Sequence, residues 1–356
     1  MKAKVILATI LILAASCVKN EVREVSIHGD GQILYNPAPL RPMTTKADVS
    51  KPTFPTSSTF GSCAWYLPGD NKWDDHHAAA ATATVVPTLY IPTSEISCRN
   101  SQWKAWDSSK SYYWPMNGSL TFISWAPYND SRFSVDRVEG FKITGWTMTN
   151  TPGYGIVVEP TPKGSVATTD PKVDILLSYT KDCTQNTAKG KVTTVFSHLL
   201  CKVKVEATLA NADVADKKIE SVTLTNIYTK SDYVAGKWTN QSECKNYVYT
   251  QTGGTSMTVT HLAKKVIFPE TMFLPQYLSK DAIRADRPKI SIKLQGSKTP
   301  IEGYLWNDKL STSLSVWNQG KSITYVITIG DETVDIDFSA SVGGWEDDSS
   351  NSVTVQ

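Results

Sequence analysis

The sequence predicts an all-β protein of two domains, each an antiparallel sandwich. Three observations carry that expectation. At roughly 100–200 residues per domain, 356 residues make two. Hydrophobic residues make up 40% and charged residues only 20%, enough apolar material for packed cores, and eleven Trp and fifteen Tyr among many Thr, Val and Ser favour strands. Apolar and polar residues alternate with period two in run after run, whereas no sustained 3.6-residue period supports a long helix. The net charge of +2 creates no field for nucleic acid, which is therefore not an expected partner.

The elements follow in chain order. Lys2 and Lys4 precede an apolar run over residues 5–13, too short to span a bilayer and the right length for the core of a signal peptide. The run ends Leu13-Ala14-Ala15-Ser16-Cys17, small residues before a Cys, as in the bacterial lipobox. Residues 1–16 are thus expected to be removed and Cys17 to carry a diacylglycerol, anchoring the chain to a membrane without a spanning helix. Residues 17–58, with Pro37, Pro39, Pro42, Pro52 and Pro55, form a lead segment with short strands expected at 22–27 and 32–35. The first domain is expected over 59–189. A helical turn is expected at 76–83 from its alanines, and strands at 119–125 (closed by Ala126-Pro127), 155–159 and 173–179. The polar stretch 180–191 marks the boundary, and the second domain covers 190–356. There Ile290, Ile292 and Leu294, and then Ile323, Tyr325, Ile327 and Ile329, alternate cleanly with other side chains, which means one buried and one wet face. Residues 352–356 read as a terminal strand.

Five cysteines remain after Cys17: Cys63, Cys98, Cys183, Cys201 and Cys244, an odd number that cannot pair completely. By period-two alternation Cys201 shares a face with Val195, Leu199, Val203 and Val205, as a buried free thiol. No CxxC or Cys/His spacing suits zinc. Asp74-Asp75-His76-His77 is a dense His/carboxylate cluster, but strand neighbours point to opposite faces, so an exposed polar loop is the expectation. Ser197 and His198 adjoin in a strand and cannot face each other as a catalytic pair, so His198 is expected to be a satisfied structural histidine. The acidic residues Asp335, Asp337, Glu346, Asp347 and Asp348 read as a solvated face. No catalytic residue, metal ligand or cofactor is assigned. Trp103, Trp106, Tyr112, Tyr113 and Trp114, with Lys104 and Lys110, form a dense aromatic stretch. It is either core packing or, through Trp103, Trp106 and Trp114, a surface on which sugars stack.

The ordered set of short motifs resembles the fimbrillin-like lipoproteins of type V pili of Gram-negative anaerobes. The set comprises the lipobox at Cys17, Thr45-Lys46-Ala47, Tyr113-Trp114-Pro115 before Leu120-Thr121-Phe122, and Trp125-Ala126-Pro127. It continues with Asp174-Ile175-Leu176-Leu177 before Phe196-x-His198-x-x-x-Lys202, then Trp317-Asn318-Gln319-Gly320-Lys321, and Gly344-Trp345 before the final Val-Thr-Val. The family's usual Pro-Gln-Thr reads here as Pro269-Glu270-Thr271.

The resemblance implies two transthyretin-like sandwiches in tandem, delivered to the outer membrane as a lipoprotein and without catalysis. It also implies that a trypsin-like protease removes the lead segment with its first strand, and that a neighbour's C-terminal strand fills the vacated groove by β-augmentation. On this sequence the lead strand falls within 22–35. The cleavage candidate is Lys46-Ala47, then Arg41, which Pro42 hinders, then Arg23. Val353 and Val355 become the inward-facing residues of a donor strand. The implied partners are other fimbrial subunits, the membrane through the lipid, and a host or glycan receptor. The rival reading is an intact surface lipoprotein that binds glycans through the aromatic stretch.

Overall fold

A computed structural model describes residues 31–38, 54, 56–106, 110–148, 174–251, 257–279, 286–306, 315–330 and 337–344. The described chain is all-β apart from one helical turn, Trp73–His76. Of the expected strands, those at 22–27, 155–159 and 352–356 lie outside the described residues.

The first sheet has eight strands in the order Ser197–His198, Leu176–Cys183, Ser119–Ala126, Thr59–Leu67, Thr88–Arg99, Gln102–Ala105, Leu34–Pro37 and Lys191–Thr194. It curls strongly. Two strands intervene between Tyr35 and Phe60, a span of roughly 14 Å in a flat sheet, yet their rings lie 5.7 Å apart. Inside the curl sits an aromatic core of Tyr35, Phe54, Phe60, Trp114, Phe122 and Phe196 with Ile33, Ile91, Ile96 and Val192. The outer face of the same sheet presents Cys63, Trp65, Leu67, Ile123 and Trp125 to a second core. Ser119–Ala126 is consequently buried at every position, its polar residues Ser119, Thr121 and Ser124 included. Gly61 is required here, because a Cβ at that position would stand 2.4 Å from the Trp125 indole.

The second sheet, of seven strands, is organised by Lys217–Val234. Its first half pairs with Lys289–Leu294 and its last residues pair with Gly140–Thr147. The bend between them falls at a register shift around Asn226, which adopts φ 62°. Phe141, Ile143, Trp146 and Tyr233 of this sheet close the second core against the first sheet. The other end of the sheet, through Ile219, Val222, Leu224, Ile290 and Ile292, covers a third core beneath a four-stranded sheet. That sheet runs Lys265–Phe273, Cys201–Leu209, Lys321–Ile329, Asp337–Gly344. One sheet therefore serves both sandwiches, and Lys191–Thr194 and Ser197–His198, just past residue 190, pair within the first sheet.

Several expected elements fall where the pattern placed them. Residues 290–294 and 323–329 lie in Lys289–Leu294 and Lys321–Ile329, and 119–125 in Ser119–Ala126. Others moved. The helical turn forms at Trp73–His76, ahead of the alanines, because tertiary contacts set it. The Trp73 N–H donates to Asp182 Oδ1 at 2.8 Å, and its ring packs 5.8 Å from Trp65. Cys201 is buried with Val203 and Val205, but Leu199 belongs to the second core, because the strand begins only at Cys201.

Candidate functional site

The most instructive region is the place where the lead segment enters the fold. Residues 32–35 were expected to form a strand, and the structure forms Leu34–Pro37, with Gln32 bridging to Tyr113. One side of the strand pairs antiparallel with Gln102–Ala105 at Tyr35↔Trp103. The other side pairs parallel with Lys191–Thr194 in four steps, from Leu34↔Lys191 to Pro37↔Thr194. Flanking main-chain bonds run from Ile33 N–H to Tyr112 O at 2.8 Å and from Ala38 N–H to Thr194 O at 2.9 Å. Pro37 ends the strand, since proline has no N–H to continue a ladder.

Alternation turns Ile33 and Tyr35 inward, each 4% exposed. The Tyr35 ring stands edge-on to Phe60 and to Phe122, at 5.7 and 5.8 Å. Its hydroxyl donates to Ser62 Oγ at 3.2 Å, and Ser62 Oγ shares a 2.9 Å hydrogen bond with Ser124 Oγ. Burial pushes the Tyr35 hydroxyl far above its ordinary pKa of 10.0, with the Ser62 bond opposing weakly. The groove under the lead strand is thus an aromatic pocket with one polar spot on its floor. Its rim carries two orphans: Thr194 Oγ1 and Trp114 Nε1 are buried without a hydrogen-bond partner.

Of the residues singled out in the sequence, Trp103 is half-buried against Phe54 and Phe60, at 5.4 and 5.7 Å, and Trp114 is buried 5.9 Å from Phe122. Trp106 donates its indole N–H to Ser97 O at 2.7 Å, with Lys104 Nζ 4.3 Å from its ring centre. Trp103, Tyr112 and Trp114 therefore line the groove, whereas Trp106 is not part of its core and Tyr113 is exposed. Cys17, Arg41, Lys46, Ala47, Val353 and Val355 lie outside the described residues. The sequence reading passed over Ser62, Ser124 and the partner strand Lys191–Thr194. Its signal was the alternation of Val192 and Thr194 with polar neighbours, too short to stand out.

Other constellations are structural. His198 Nδ1 bonds Asp174 Oδ2, both buried, while Asp174 Oδ1 accepts the Ile175 N–H at 2.8 Å. Asp74 pairs with Lys181 at 2.6 Å and Arg137 donates to His77 O at 2.6 Å. These residues edge a depression of about 350 Å³, where Asp74 and Lys181 pair with each other, Arg137 is held by backbone carbonyls and Glu139 pairs with Lys142. Cys63, Cys98, Cys183 and Cys201 are free thiols. Among the described residues no group of three or more His, Cys, Asp or Glu is placed to hold a metal ion. Among them too, no helix is long and apolar enough to cross a membrane.

Three large sheets, with a two-stranded pair of Gln276–Tyr277 and Val316–Trp317 beside them, two sandwiches sharing one large sheet, and a short strand from near the N-terminus completing the first define, among the described residues, an all-β sandwich protein with an inserted lead strand. The profile of the fimbrillin-like family matches residues 70–345, and the chain belongs to that family. Among solved structures, a fimbrial protein from Bacteroides vulgatus has the same fold at 17% identity and a TM-score of 0.55, over 80% of this chain and 92% of that one. A candidate cell adhesion protein from Parabacteroides distasonis aligns at 10% identity and 0.47, over 88% and 97%. Another from Bacteroides uniformis aligns at 14% and 0.44, over 89% and 99%. No curated protein matches.

Proposed function

We propose that this chain is a structural subunit or anchor protein of a type V fimbria on an outer membrane, supporting cell adhesion without catalysis. In this reading it follows the plan of two transthyretin-like sandwiches and is delivered as a lipoprotein through Cys17. A protease cuts after Lys46, or less readily after Arg41, and the lead segment leaves. A strand from a neighbouring subunit takes its place, and Val353 and Val355 are the side chains this chain would in turn offer to the groove of another subunit. The observation that carries the reading is the position of Leu34–Pro37. This strand, with Ile33 just before it, completes the first sheet and fills its core through Ile33 and Tyr35, yet it lies upstream of Lys46 and Arg41, the first two cleavage candidates, so that only a cut at the third, Arg23, would leave it in place. Its loss would leave Gln102–Ala105 and Lys191–Thr194 as facing open edges, a template for another strand and an aggregation hazard until filled.

The test is the intact mass and N-terminal sequence of the protein purified from its native outer membrane. A new N-terminus at Ala47, with loss of polymer in a Lys46→Gln variant, is the expected result. A diacylated Cys17 with the lead segment intact would sink the processing step for this chain.

A further inference from the structure

We infer that the lead-strand groove selects an incoming strand carrying a tyrosine at the Tyr35 position, so that its fitting partner is a different subunit and not the 352–356 segment of a second copy. This rests on the strand-exchange reading above.

The groove fixes the pattern of its occupant. Ile33 and Tyr35 are buried and Asn36 is exposed; continuing the alternation puts position 37, half-buried and paired with the buried Thr194, on the inner side, so any strand that keeps the register must supply three inward positions. The middle position is the demanding one. Its walls are the faces and edges of Phe60 and Phe122, and its floor is the Ser62–Ser124 hydroxyl pair, 0% and 1% exposed. Only a long aromatic side chain spans from the backbone to that floor, and only one with a hydroxyl bonds Ser62 there. If the segment Ser352-Val353-Thr354-Val355-Gln356 entered the groove as a strand, period-two alternation would offer two valines to its inward positions. A valine at the middle position leaves the space of a phenol ring empty between two aromatic walls, the kind of cavity that cores tolerate poorly.

The third inward position also falls short of an ideal fit for the resident strand. Pro37 sits opposite Thr194, whose buried Oγ1 has no partner, and a proline side chain has neither donor nor acceptor. A strand with Asn, Gln, Ser or Thr there would satisfy Thr194. The preferred occupant therefore reads branched apolar, any, Tyr, any, polar. This pattern improves on the resident at one place and keeps its tyrosine.

The experiment uses the full chain with one unique protease site inserted after Lys46. After cutting, labelled peptides compete for the groove: residues 31–39 as they stand, the same with Tyr35→Phe, with Tyr35→Val and with Pro37→Asn, and residues 348–356. The expected order is Pro37→Asn tightest, then the native peptide. The Phe peptide should be about three- to ten-fold weaker than native, and the Val peptide and 348–356 at least about thirty-fold weaker. In Ser62→Ala protein, checked by circular dichroism for native folding, the gap between Tyr and Phe peptides should close to under about two-fold, because the bond to Ser62 is gone. Equal binding of 348–356 and the native peptide overturns the selectivity while leaving strand exchange standing. Failure of every peptide, the native one included, to re-enter overturns both.

Discussion

The two ends of the molecule use parallel pairing to opposite effect. In the first sheet, Leu34–Pro37 meets Lys191–Thr194 over four residue pairs, and beneath it lies a core of large aromatic rings. In the four-stranded sheet, residues 202–209 meet 322–329 over eight pairs, above a core dominated by Val, Ile and Leu. A four-step ladder can open at modest cost, and ring pockets give it specificity through shape. An eight-step ladder in an aliphatic core opens only with the whole domain. If the proposed strand exchange operates, the contrast puts the exchangeable part of the protein at the lead strand and the permanent part at the centre of the second sandwich.

The contrast is most sharply tested at Tyr325, which is fully buried and accepts the Trp317 indole N–H at 3.0 Å. Tyr325→Ala should cost about 3–5 kcal/mol in urea unfolding and weaken all described regions together. Loss confined to the C-terminal sheet, seen by hydrogen exchange, would mean that the shared seven-stranded sheet does not couple the sandwiches.

Next in size is Asp174→Ala, which strands His198 at the seam between the first sheet and the rest. About 2 kcal/mol of stability should go, with faster amide exchange in Leu176–Cys183 ahead of Cys201–Leu209. Uniform acceleration would place the seam in the permanent part instead.

Alkaline pH probes both cores at once. Burial raises the thiols of Cys63 and Cys201 above their ordinary 9.0, and the hydroxyls of Tyr35 and Tyr325 above 10.0. The neutral forms are the ones folding favours. Their contribution is therefore complete below about pH 9 and declines as pH rises above it toward the folded values. Urea midpoints should fall steadily above pH 9, while Cys244, which is exposed, reacts with a thiol reagent long before Cys63 or Cys201. A tyrosinate absorbance step ahead of the global transition would reveal independent opening of the Tyr35 pocket.

The smallest expected effect is at Lys181, whose pairing with Asp74 is solvent-exposed. Lys181→Ala should shift stability by under about 0.5 kcal/mol. A larger loss in urea unfolding would make that depression part of the framework joining the two halves.

Much of the architecture was legible in the alternation itself. Ile290 and Ile292, and Ile323 through Ile329, advertise one-sided strands because water and core lie on opposite faces of the pleat. Ser119–Ala126 is the opposite case: both its faces are buried although it mixes Ser and Thr with apolar residues, so its burial was not legible in its pattern. The lead strand was legible as residues 32–35, and so was a buried, hydrogen-bonded His198. Not legible was what these pieces meet. The Trp73 helical turn depends on Asp182, 109 positions away in sequence. The groove depends on a curl that brings residues 33–35, 60–62, 122–124 and 192–194 around one pocket. Period and propensity are local quantities, and the sequence by itself determined strand content, burial sides and family. Which aromatic faces which, and that a tyrosine hydroxyl from the lead segment closes a serine pair, were decided only by the tertiary structure, since contacts between distant strands come from sheet curvature and register, which no single segment encodes.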